Sequence, residues 1–109
     1  MKCTAQVNAG VCGFATKVTA DSPDEQMVTL DIETHCDTIA GLAEGLNGRE
    51  IDGYDEIAKG FDGVVMSVVR STLSGCCAGC AVPVGIFKAL QAAARVALPR
   101  DVTITLRGE

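Results

Sequence analysis

Between Val28 and Glu33 apolar and polar residues alternate without exception: Val28, Leu30 and Ile32 fall on one side, Thr29, Asp31 and Glu33 on the other. A period of two predicts a half-buried strand. The same alternation runs through residues 3–8, with Cys3, Ala5 and Val7 on one face. It recurs where Phe14, Thr16, Val18 and Ala20 alternate with Ala15, Lys17 and Thr19. A glycine-containing turn, Asn8 to Gly13, joins the first two segments, and the polar tip Asp21-Ser22-Pro23-Asp24-Glu25-Gln26 joins the second and third. Three strands with such short connections predict an antiparallel meander.

The period then changes. Ile39, Leu42, Ala43 and Leu46 recur at helical spacing, with Asp37 or Thr38 as the expected N-cap and Asn47-Gly48 as the stop. Gly41 and Gly45 weaken this helix by about 1 kcal/mol each relative to Ala, which implies close packing against a partner. A second short helix is expected at Tyr54, Ile57, Ala58 and Phe61. A third is expected over Val64 to Leu73, where Val64-Val65 and Val68-Val69 make an apolar stripe. The last helix starts near Pro83, a residue suited to a first helical turn. It turns Ile86, Leu90, Ala93 and Ala97 inward, leaves Lys88, Gln91 and Arg95 elsewhere, and stops at Leu98-Pro99. Val102, Ile104 and Leu106 against Thr103, Thr105 and Arg107 predict a closing strand. The fold class is therefore α+β: a single domain over 1–109, with an antiparallel three- to four-stranded sheet and helices packed on one face.

Composition narrows the functions. A chain of 109 residues holds one domain large enough for a core without a metal or disulfide staple. With no Trp and one Tyr, that core must be built from Val, Ile, Leu and Ala. The net charge is −5 and there is no Lys/Arg cluster, so no nucleic-acid partner is expected. Met1-Lys2-Cys3-Thr4 leads straight into a strand pattern rather than a signal segment. The apolar stretch Ala81 to Leu98 carries Lys88, Gln91 and Arg95, so no membrane span is expected. A cytoplasmic location follows as the expectation. In a reducing compartment, clustered cysteines read as metal-binding or redox-active rather than as disulfide staples.

The cysteines occupy telling places. Cys12 lies in the turn Asn8-Ala9-Gly10-Val11-Cys12-Gly13. Cys36 falls where the strand pattern gives way to a helix, and Cys76, Cys77 and Cys80 immediately precede the last helix. Thiolates at turns and helix N-termini meet backbone N–H donors and the positive helix end, which suits metal ligands and nucleophiles. In a meander, the first hairpin and the exit of the third strand share one end of the sheet. A last helix packed with its N-terminus at that end would bring Cys80 to Cys12 and Cys36, with Cys76 or Cys77 as the remaining ligand. Such a set suits zinc or an iron–sulfur cluster. Cys3, inside a strand, reads as a small buried hydrophobe. His35, the single histidine, points away from its neighbour Cys36 on an extended chain. Asp52, Asp55 and Glu56 read as solvated charges, and no phosphate-binding glycine motif is present.

This layout resembles the U-type iron–sulfur cluster scaffold proteins (IscU/NifU-like) in Cys12-Gly13 of the first hairpin, Cys36 at a strand–helix junction, and Cys80, Cys76 or Cys77 before a long helix. A related resemblance is to small uncharacterised cysteine-containing proteins of bacteria and archaea. The first implies three antiparallel strands plus helices, a nascent cluster held by three cysteines, and partners among iron–sulfur assembly or acceptor proteins; a homo-oligomer is compatible with it. The chain departs from that pattern at Phe14, where the family carries Asp, and in lacking a Lys-Cys dipeptide at the third site. Cys77-Ala78-Gly79-Cys80 also fits a second chemistry, thiol–disulfide exchange by a Cys-x-x-Cys pair before a helix. A third is a metal-stapled structural or partner-binding domain.

Overall fold

In the computed structural model, which describes all of Met1–Glu109, β1 (Lys2–Asn8), β2 (Ala15–Asp21), β3 (Met27–Thr34) and β4 (Glu50–Asp52) make one antiparallel sheet ordered β1-β2-β3-β4. The meander is the predicted one. Its register pairs Val7 with Thr16 and Thr16 with Thr34 at one end, and Cys3 with Ala20 and Ala20 with Leu30 toward the other. Alternation does its expected work: Val18, Ala20, Val28, Leu30 and Ile32 are buried, while Lys17, Thr29, Asp31 and Glu33 face solvent. The strand β4, which no alternation announced, pairs Val28 with Ile51.

Helices α1 (Asp37–Leu46), α3 (Val64–Thr72) and α4 (Val82–Ala93), with the short α2 (Gly53–Lys59), cover the apolar face. The α+β architecture with its one-sided helical layer is thus as expected. On α1, Ile39, Leu42, Ala43 and Leu46 are the buried set. The two glycines of α1 find their partner in α3: a Cβ on Gly45 would stand 2.8 Å from Val68 Cγ1, and one on Gly41 would stand 3.6 Å from Thr72 Cγ2. Closeness to α3 is therefore what offsets the weak helix propensity of Gly45, whereas Gly41 has room for a methyl.

The helix α4 runs against β1. A Cβ on Gly85 would meet Val7 Cγ2 at 2.5 Å, and the Ala93 carbonyl accepts from the Met1 nitrogen at 3.0 Å. Its N-terminus therefore lies at the Val7 end of the sheet. Gly75–Ala93 is long and apolar enough on composition to cross a membrane. Here it is broken into a 3₁₀ turn and a twelve-residue helix whose Val82, Ile86, Ala89, Leu90 and Ala93 enter the core.

Several expectations fail for physical reasons. The N-cap of α1 is Cys36, not Asp37 or Thr38. Tyr54 and Phe61 are exposed, and on α2 the buried residues are Gly53 and Glu56 instead. Both oxygens of Glu56 are used: Oε2 accepts from Val64 N at 3.0 Å and Oε1 from Val65 N at 2.7 Å. This carboxylate satisfies the first N–H groups of α3, whose own N-cap, Gly63, has no side chain to do so. The helix α4 ends at Ala93, so Ala97 lies beyond the inward stripe. The closing strand is absent: Val102, Ile104 and Leu106 are 55%, 68% and 90% exposed and pair with no strand. Alternation makes a segment able to pair but supplies no partner.

Candidate cysteine site at one end of the sheet

Cys12 closes a 3₁₀ turn, Gly10–Cys12, between β1 and β2. Gly10 and Gly13 take φ of 73° and 72°, the left-handed region that a side chain resists. The Gly13 N–H bonds to the Gly10 carbonyl at 2.9 Å and the Ala9 N–H to that of Phe14 at 3.0 Å. The turn is internally tied, yet Val11 and Cys12 stand in solvent. Phe14, expected in the second strand, lies just before β2 and is exposed beside the turn.

Cys36 is extended, with φ −88° and ψ 122°, and its carbonyl begins the α1 ladder by accepting from Ala40 N at 2.8 Å. Its N–H donates to Thr34 Oγ1 at 3.1 Å, and that hydroxyl pairs with Thr16 Oγ1 at 2.8 Å. The thiol is half-buried against the core. His35 is exposed between Thr34 and Cys36.

The third segment is a 3₁₀ turn, Gly75–Gly79, entered through Gly75 at φ 58°. Cys77 N–H bonds to the Ser74 carbonyl and Cys80 N–H to the Cys77 carbonyl, both at 3.1 Å. Cys80 Sγ accepts from Val82 N, in the first turn of α4, at 3.5 Å. Cys77 and Cys80 are half-buried on the core, and Cys76 is exposed.

The row Val7, Thr16, Thr34 and the seat of Gly85 over Val7 place all three segments at one end of the sheet. They share that end without touching as a ligand set: no three His, Cys, Asp or Glu side chains form a metal-ligating group. Two strand spacings, about 10 Å, separate β1 from β3. All six thiols are free. Cys3 is apart from the others, on the row of Ala20, and burial pushes its thiol above the ordinary value.

The polar residues near Tyr54 divide. Asp52 caps α2, accepting from Tyr54 N at 3.0 Å and Asp55 N at 3.1 Å, and Gln26 Nε2 joins it at 2.9 Å. Asp55 pairs with Lys59 on the surface. Glu56 is the residue that sequence reasoning placed in the wrong environment. The readable signal was Gly63, a residue without capping oxygen directly ahead of a helical valine run, which obliges some other group to serve those N–H donors.

A family profile matches residues 3–106. The chain belongs to DUF6951, a family of unknown function. The matched span takes in every cysteine and most of the exposed C-terminal segment. No curated protein and no solved structure matches the chain.

Proposed function

We propose that this DUF6951 chain binds a soft metal, zinc or an iron–sulfur cluster, through cysteines at the Val7–Thr34 end of its sheet. Cys12, Cys36 and Cys80 are the principal ligands, and Cys76 or Cys77 supplies the fourth. The observation that supports the reading is that three separate cysteine-bearing turns lie at one sheet end, apart from one another, with two of them opening helices. The donor chemistry fits, since all five are free thiols and thiolates are the ligands these centres take. Assembly of the site requires the exposed Cys12 turn to close over the half-buried Cys36 and Cys80. When bound, zinc would supply a structural cross-link, and an iron–sulfur cluster would supply electron transfer or a transferable cargo. In the cargo case the partners are iron–sulfur assembly or acceptor proteins. Phe14 beside the site presents an apolar ring and no competing oxygen ligand, so Phe14→Asp should speed release to an apo-acceptor.

Anaerobic, iron-replete expression tests this. A brown protein, or a colourless one with stoichiometric zinc, is expected; Cys12→Ser, Cys36→Ser and Cys80→Ser each lose the metal, while Cys3→Ser keeps it. A metal-free wild type, or full loading in Cys36→Ser, overturns the reading.

One observation favours a second reading, thiol–disulfide exchange by Cys77 and Cys80. The bond from Cys80 N–H to the Cys77 carbonyl makes these residues the ends of one turn, where Cα atoms lie within about 7 Å and a disulfide spans about 4.4–6.8 Å. Titration against glutathione redox buffers would then remove two thiols in wild type and none in Cys80→Ser.

A further inference from the structure

Asn47-Gly48 stops α1, and the structure gives the same pair a second task on the sheet. On the outer edge of β3, the three-residue β4 reaches only Met27, Val28 and Thr29. Beyond β4 that edge is closed by the pair itself. Asn47 Oδ1 accepts from Ile32 N at 2.8 Å, Asn47 Nδ2 donates to the Ile32 carbonyl at 3.2 Å, and Gly48 N–H donates to the Leu30 carbonyl at 3.2 Å. One side-chain amide thus reproduces the donor and acceptor of a neighbouring strand residue, so the edge groups of Ile32 stay paired.

This geometry dictates both residue types. A carboxamide offers an acceptor and a donor side by side, whereas a carboxylate offers acceptors alone and Gln carries the same amide on a longer stem. Gly48 has a φ of 78°, where any side chain is strained. The fold therefore requires Asn followed by Gly. That is the dipeptide in which a side-chain amide is chemically least durable, because glycine places no side chain in the way of its own nitrogen.

The reaction open to this pair is intramolecular. Once hydroxide or a buffer base takes its proton, Gly48 N attacks Asn47 Cγ. The N–Cγ bond forms, the Cγ–Nδ2 bond breaks, and Nδ2 leaves as ammonia with a proton supplied by solvent. Water then opens the cyclic imide at either carbonyl, giving Asp or its isomer linked through the side-chain carboxyl. Three constraints oppose the first step in the structure. The Gly48 nitrogen is engaged with the Leu30 carbonyl, and Asn47 Cγ is held on Ile32 through both of its polar atoms. The ψ of Asn47, 133°, is extended, whereas ring closure needs Cβ, Cα, C and the Gly48 nitrogen nearly coplanar. Asn47 and Gly48 are exposed, so base and water reach them, and hydrogen bonding rather than burial keeps the pair inert.

We propose that Asn47-Gly48 is a deamidation site gated by the contact between the end of α1 and β3: inert while Leu30 and Ile32 hold it, and converted when that contact opens. Conversion runs one way, because the ammonia is lost. The product does not restore the edge. Its carboxylate keeps an acceptor for the Ile32 N–H but sets an oxygen against the Ile32 carbonyl, where a donor stood before. The groove beside it is already lined by Glu33 and Glu44, so the new charge also meets two of its own sign. An opening of α1 from the sheet edge thereby becomes a lasting loss of the latch.

Incubating the full chain at mildly alkaline pH in oxygen-labelled water, with and without urea, tests the proposal by peptide mass mapping. Conversion of Asn47 is expected in urea and should be at least about tenfold slower in the folded chain, where reaction is confined to the opened fraction. Asn8, which precedes Ala9, is the internal reference and should trail Asn47 in urea. Gly45→Ala, which wedges α1 from its seat, should speed conversion of the folded chain and leave the rate in urea unchanged. Asn47→Asp, the product made directly, should melt below wild type, with several-fold faster deuterium exchange at the Ile32 and Gly48 amides. Equal rates with and without urea, or no conversion in either, overturn the proposal. An Asn47→Asp chain that melts with wild type and keeps its Ile32 protection overturns it equally.

Discussion

Glu25 and Arg95 are the two non-glycine residues with positive φ, at 63° and 60°, and their side chains meet, Arg95 Nε lying 3.3 Å from Glu25 Oε1. One sits in the β2–β3 hairpin, the other at the end of α4. There the bonds Val96 N to Gln91 O and Arg95 N to Ala92 O, both 3.0 Å, make the helix-terminating turn that usually carries glycine. Two backbone distortions are thus joined at the point where the C-terminal segment leaves the body.

The left-handed conformation costs a non-glycine residue about 1–2 kcal/mol, whereas an exposed ion pair contributes about 0.2–1 kcal/mol. Arg95→Ala keeps the strain and loses the pair, so it should melt below wild type. Arg95→Gly should be about 1 kcal/mol more stable than Arg95→Ala. Thermal melts of the two variants check this, and equal midpoints would contradict it.

The glycines of α1 should respond in opposite directions. At Gly41 the new methyl would make an ordinary 3.6 Å contact with Thr72, so Gly41→Ala should stabilise by up to about 1 kcal/mol through helix propensity. At Gly45 it would stand 2.8 Å from Val68 Cγ1, and wedging α1 from α3 should cost about 1–3 kcal/mol. Urea unfolding of Gly45→Ala, then of Gly45→Ala with Val68→Ala, measures the clash and its relief.

Glu56 and Gly63 should be coupled. A Cβ at Gly63 would lie 2.5 Å from Glu56 Oε1, so Gly63→Ala displaces the carboxylate from the N–H groups of Val64 and Val65. Glu56→Ala leaves those donors without their partner, a loss of about 1–3 kcal/mol. With the carboxylate gone, adding Gly63→Ala should cost little. A double-mutant cycle showing strict additivity would reject the coupling.

Two aspartates give the fold an acid limit. The N–H of Gln26, then that of Met27, holds Asp24 below the usual carboxylate value; the N–H of Asp55, then the Gln26 side chain, does the same for Asp52. Because both folded values are lowered, their contribution is fully present above the unfolded value near 3.9. It is lost as pH falls below that value through the folded ones. Between neutrality and pH 5 these two should leave stability flat. In Asp24→Asn with Asp52→Asn, which retains acceptor oxygens, the decline below pH 4 should be shallower.

What was legible from residues was whatever depends on neighbours along the chain. Alternation at 28–33 and helical spacing at 39–46 assign faces because side-chain direction is set by local backbone geometry. The meander followed from short turns, and with it the shared sheet end of Cys12 and Cys36. Glu56 was misread for the opposite reason: its partners are the N–H groups of Val64 and Val65, which Gly63 leaves uncapped, and nothing beside Glu56 in the sequence assigns them to it.

By itself, then, the chain's periodicity determined three strands, the inward faces of α1 and α4, and the helix-opening positions of Cys36 and Cys80. Tertiary structure alone decided that α4 lays its N-terminus over Val7, bringing Cys80 to the cysteine end. It decided too that Gly45 faces Val68, that Asn47 closes one sheet edge, and that Val102–Leu106 finds no partner within the chain. Periodicity records which side of an element avoids water. Which element covers that side depends on contacts between residues distant in sequence, and these form only when the whole core packs at once.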